Sequence, residues 1–173
     1  MKKPEIIAAL RNNHQAFINY LGGLSSEDFV ADRNGKWTAG QHLDHIIRSV
    51  TPLNKGLVLP GFLLKLVFGK ANRPSKTFDE LVAKYKQKLS EGGKASAPFI
   101  PPPITTAKKE SLLRELDSRS ERLCRQADRF SEIQLDQLVA PHPLLGKITL
   151  REMLYFTAHH VLHHKALVEK TNL

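Results

Sequence analysis

Four long stretches of this chain place apolar residues at the helical period. From Pro4 the first carries Ile6, Leu10, Phe17 and Leu21, with Ile7 and Ile18 beside them, to about Leu21. The second follows a capping box, Thr38 with Gln41, and carries Leu43, Ile46, Ile47, Val50 and Leu53 to about Pro52 or beyond. The third spans Ala107 to Phe130 on Leu112, Leu113, Leu116, Leu123 and Ala127, its charged residues reading as a solvated face. The fourth opens on a box of Thr149 with Glu152 and continues to about Lys170. A helix with an apolar stripe must bury it against another element, so four of them predict an all-α fold, an antiparallel four-helix bundle with short additional helices in its connections. No strand-like alternation and no repeat are read.

The connections carry their own signals. Ser25 to Phe29 and Asn34-Gly35 read as turns, Thr77 with Glu80 opens a shorter helix from Phe78 to about Glu91, and Ala97 to Pro103 reads as an extended proline-rich connector. The chain has 173 residues, the size of one domain, so residues 1–173 are expected to share one core. With 41% hydrophobic and 25% charged residues, a disordered or low-complexity chain is excluded. The most apolar segment, Leu57 to Phe68, is interrupted by Pro60 and Lys65 and is shorter than the ~20 residues a spanning helix needs. Glu5, Arg11 and His14 interrupt the first residues before a signal-like apolar run develops, so a cytoplasmic protein is expected.

Lys and Arg number 26 against 17 Asp and Glu, a net charge of +9, which favours anionic partners: nucleic acid, acidic headgroups or carboxylate substrates. The positive charges lack interleaved aromatic residues, and no helix-turn-helix, zinc-finger or RNA-binding signature occurs. Charge alone does not choose among the three; a small-molecule substrate is expected, with no nucleic acid and no membrane. Cys124 is the single cysteine, so a disulfide scaffold and a cysteine-rich zinc site are excluded, and any metal must use His and carboxylates.

Four of the eight histidines fall in the run His159-His160-Val161-Leu162-His163-His164, which offers two i, i+4 pairs. On a helical wheel His160 and His164 share the inward arc of Leu150, Met153, Leu154, Thr157, Val161 and Val168. His159 and His163 fall on a flank with Glu152 and Lys170, where water is expected. A third ligand must come from another helix, from His42, His45 or His14. Periodicity mildly favours His42 over His45, and His14, alone on the apolar face of Leu10, Ile18 and Leu21, reads as a hydrogen-bonded core residue.

Two segments carry a resemblance, Trp37-Thr38-Ala39-Gly40-Gln41-His42-Leu43-Asp44-His45 and His142-Pro143-Leu144-Leu145-Gly146 running to His160-Val161-Leu162-His163-His164. They resemble the DinB-like (YfiT-like) superfamily, four-helix bundles in which three histidines hold a divalent metal, one after a W-[ST]-x-x-[QE]-x-L-x-H pattern and two from H-x-x-x-H on the last helix. The resemblance implies metal ligands at His45, His160 and His164, with His42 as the reserve, and it implies a homodimer. Leu167 departs from the family, where Gln is frequent.

Three imidazoles leave a coordination position open on a zinc or nickel ion, as catalysis requires. Such an ion lowers the pKa of a bound thiol or water. The resemblance implies transfer of a low-molecular-weight thiol to a small electrophile. The alternatives are a metal-dependent hydrolase or a non-enzymatic binding module with a vestigial site. Leu57 to Phe68 reads either as a lid over the electrophile or as packing against the bundle or a partner subunit. His142 reads as a loop-shaping residue, Cys124 as a core thiol, and no catalytic side chain beyond the ligands is assigned.

Overall fold

A computed structural model describes residues 1–33 and 35–171; the Asn34 half of the expected Asn34-Gly35 turn lies outside them. The four long helices are α1 (Lys3–Gly22), α3 (Ala39–Gly56), α6 (Lys109–Asp128) and α8 (Leu150–Thr171), joined through α2 (Ser26–Val30), α4 (Gly61–Phe68), α5 (Phe78–Ser90) and α7 (Glu132–Gln137). The expected turn at Ser25 is the N-cap of α2, its hydroxyl accepting from Asp28 N–H. The capping boxes at Thr38 and Thr77 form reciprocally, which fixes where α3 and α5 begin. α3 runs on through Pro52 to Gly56.

α1 and α3 each pack against both α6 and α8, so the bundle is a ring in which α1 and α3 are diagonal. Lys3 Nζ donates to the Asp128 and Phe130 carbonyls and Lys109 Nζ to those of Gly22 and Leu24, so α1 and α6 run antiparallel. His42 and His45 near the start of α3 meet His164 and His160 late in α8, so these two are antiparallel as well. α1 and α8 share a direction, Met1 lying beside Tyr155 and Tyr20 beside Lys165. So do α3 and α6, where Ile104 just before α6 meets Gly40 and Asn54 Nδ2 donates to the Arg119 carbonyl. The expected antiparallel arrangement thus holds for α1–α6 and α3–α8, while long connections permit the shared directions of the other two neighbouring pairs. At Gly40 a Cβ would lie 2.9 Å from Phe29 Cε1 and 3.0 Å from Ile104 Cγ2, so a side chain there would push α3 away from α2 and from the segment that enters α6.

Two expectations are corrected. Val139–His142 (β1) and Gly146–Thr149 (β2) form a small antiparallel hairpin where no strand was expected. Its three-residue loop closes on Gly146 at φ 74°, and His142 Nδ1 accepts the Leu144 and Leu145 N–H groups inside it. Glu152, expected on a solvated flank of α8, is fully buried. Its carboxylate accepts from both terminal Arg73 guanidinium nitrogens, from Lys76 N–H and from Thr149 N–H. Burial pushes its pKa up, but the Arg73 guanidinium and the two backbone donors more than offset this and leave it below the usual carboxylate value. Cys124 is buried in the core, its thiol contacting the Ile7 carbonyl, as its reading as a core thiol requires.

Candidate metal centre

His45 on α3 and His160 and His164 on α8 converge. His45 Nε2 stands 3.3 Å from His160 Nε2, and His164 Nε2 stands 3.0 Å from that same atom. One nitrogen of each ring lies within 4.8 Å of the others, and all three residues are buried. Zinc–imidazole bonds of ~2.0–2.1 Å in a tetrahedron place ligand nitrogens about 3.4 Å apart, so the cluster fits a small divalent ion.

The outer ring nitrogens show how the inner ones are aimed. His45 Nδ1 lies 2.7 Å from the Phe99 carbonyl, which can only accept, so Nδ1 carries the proton and Nε2 keeps its lone pair. His164 Nδ1 lies 2.7 Å from His42 Nδ1. One of these two nitrogens must donate, and a ligating Nε2 on His164 requires its Nδ1 to be the donor. His42, favoured by periodicity as a ligand, instead sits outside the cluster with its Nδ1 against His164, where it would orient that ring if His164 ligates a metal. Trp37 packs over the group, its ring centroid 5.0 Å from that of His45 and 5.6 Å from that of His42. Phe156 stacks on His160 at 4.7 Å.

Electrostatics keep the cluster uncharged. Burial, then the charges of His45 and His163, hold His42 down at about 4. Burial and the neighbouring imidazoles hold His160 and His164 well below the ordinary histidine value. His45 is lowered too, burial outweighing its bond to Phe99. Neutral imidazoles present lone pairs, the state a metal requires.

The three clustered histidines lie in the wall of a cavity of about 590 Å³. Its remaining lining is mostly apolar and includes Leu64, Phe68, Leu89, Leu144 and Phe156, with Lys94 and Ser96 among the polar contributors. Among the described residues no carboxylate lines it. The Leu57 to Phe68 segment contributes Leu57, Leu64 and Phe68, so it is a wall of this cavity. His163, expected to be solvated, is half-buried and lines the cavity, and His159 is half-buried against Tyr85. His142 shapes its loop as expected and also lines the cavity; with Nδ1 accepting, its neutral ring carries the proton on Nε2. His14 donates from Nδ1 to the Leu10 carbonyl, as a core histidine does. Leu167 is exposed and outside the cavity.

Helical topology and the buried three-histidine cluster together define a four-helix-bundle protein with a candidate metal centre. The family profile of the DinB superfamily matches residues 9–168, and the chain belongs to that superfamily. No curated protein matches the chain.

Proposed function

We propose that the protein is a metal-dependent enzyme that transfers a low-molecular-weight thiol to a small electrophile. The observation that carries this reading is the convergence of three Nε2 lone pairs on the wall of an apolar cavity without a carboxylate among its described lining residues. His45, His160 and His164 would hold the ion, zinc or nickel by their imidazole donors. When bound, the ion supplies Lewis acidity that lowers the pKa of a thiol reaching it, so no carboxylate base is required. His42 and the Phe99 carbonyl keep the ligand rings in place. The apolar walls exclude water and take the electrophile's hydrophobic part. Lys94 offers a positive charge to the carboxylates of a thiol cosubstrate, and the His142 Nε2–H offers a donor to a polar group in the cavity.

Hydrolysis is the second reading, supported by His163, an imidazole in the cavity without a hydrogen-bond partner among the described residues and so open to act as a base on water. Zinc- and nickel-loaded protein, untagged, is assayed with a panel of small thiols against a chloronitrobenzene, and separately with nitrophenyl esters without thiol. Metal-dependent thiol consumption lost in His160→Ala is the expected result. Ester cleavage that needs metal but no thiol would replace transfer by hydrolysis, and inactivity in both assays with metal bound would favour a binding module.

A further inference from the structure

α4 is apolar on two sides. Leu64 is buried and, with Phe68, faces the cavity, while Phe62, Leu66 and Val67 are 70%, 80% and 62% exposed. Val58 and Leu59, in the turn before α4, extend the exposed patch. A helix apolar all round is ordinarily buried, and a contiguous exposed patch of this kind marks an interaction surface.

Its surroundings are cationic. From Lys55 to Lys70 the chain has three lysines and no acidic residue. At the end of α4 a second, polar cavity of about 290 Å³ is lined by Lys70, Asn72, Arg73, Lys147 and Thr149. Arg73 is neutralised by Glu152, but Lys55, Lys65, Lys70 and Lys147 are exposed and make no ion pair among the described residues. Lys147 Nζ donates to the Phe68 carbonyl, which fastens this basic corner to the apolar helix.

We propose that α4 and this basic corner form a docking surface for an anionic phospholipid bilayer. Aromatic and aliphatic side chains flanked by lysines suit the boundary between acyl chains and acidic headgroups, and the polar cavity beside Lys70 and Lys147 suits a headgroup phosphate. A second copy of the chain fits less well, because each copy has a charge of +9 and self-pairing here would bring these lysines together. α4, with eight residues, is about 12 Å long and lies on a membrane rather than crossing it. The expectation of no membrane partner rested on spanning length, which does not bear on surface attachment. Docking places the inner wall of the metal cavity, Leu64 and Phe68, directly beneath the lipid surface, and it does not depend on the activity proposed above.

Co-sedimentation with vesicles tests this, using phosphatidylcholine alone and phosphatidylcholine mixed with phosphatidylserine. Wild-type protein is expected to sediment with the mixed vesicles and be released by salt. Leu66→Ser with Val67→Ser should weaken binding by about tenfold or more, and Lys65→Glu with Lys70→Glu by at least about 30-fold. Circular dichroism and metal content should be unchanged in both, since these side chains point away from the core. Wild-type protein left in the supernatant, binding indifferent to both pairs of substitutions, or a dimer in light scattering that Leu66→Ser dissolves would overturn the proposal, the last by assigning the patch to a second copy.

Discussion

Replacing His42 by Ala separates a residue that orders a ligand from one that is a ligand. His42 is buried with its Nδ1 2.7 Å from His164 Nδ1, and with His164 ligating through Nε2 that Nδ1 would be the acceptor that fixes the His164 ring. Without it the His164 ring loses both the acceptor that sets its tautomer and a packing neighbour at 5.0 Å. Removing such a partner weakens metal affinity by roughly 10–100-fold, or about 1.4–2.7 kcal/mol. His42→Asn, whose side-chain oxygen can accept the same bond, should recover part of that loss. The assay is zinc competition against a chromogenic chelator, on untagged protein first stripped of metal. His164→Ala should abolish tight binding outright, and His42→Ala should lie between it and wild type. A His42→Ala affinity equal to wild type would refute the orienting role; one as low as His164→Ala would make His42 a ligand.

Other consequences of the structure are open to test. Gly40→Ala drives a methyl against Phe29 and Ile104, and should cost about 1–3 kcal/mol and lower the melting temperature by roughly 2–10 °C in a thermal scan. His14 is fully buried with its pKa held near 4 by burial, so the unfolded chain takes up its proton first as pH falls from 6.5. Its contribution to stability is complete above pH 6.5 and lost progressively toward pH 4, about 3 kcal/mol in all by linkage. Urea midpoints of metal-stripped protein should therefore fall across that range, and less steeply in His14→Phe. Glu152→Gln leaves Arg73 facing a neutral group at the base of α8 and should cost about 2–4 kcal/mol in urea denaturation, whereas a loss within error would show that the pair contributes nothing net.

What could be read from the sequence was what local chemistry determines. Thr38 with Gln41 and Thr77 with Glu80 cap their helices as their spacing requires, because both partners lie within one turn. His160 and His164 could be paired because four residues on one helix share a face. His42 and His45 are three apart and both buried, so periodicity could not show which of them joins the His160–His164 pair; the Trp37-to-His45 pattern pointed to His45, the one the fold places in the cluster. The Phe99 carbonyl that sets the His45 tautomer is 54 residues away, and a carbonyl has no residue type to signal it. Glu152 was legible as a capping residue, but its burial depends on Arg73, which lies 79 residues upstream. The hairpin escaped notice because four-residue strands show too little alternation, and it is held by Gly146 and by the His142 ring accepting inside the loop.

The central claim is that His45, His160 and His164 form one metal site. Elemental analysis of untagged protein purified without chelator, then reconstituted with zinc or nickel, tests it most directly. The expected result is near one divalent ion per chain in wild type, and almost none in His45→Ala, His160→Ala or His164→Ala proteins that remain folded by circular dichroism. Wild-type protein that holds no metal after reconstitution, or folded single variants that keep a full complement, would contradict it.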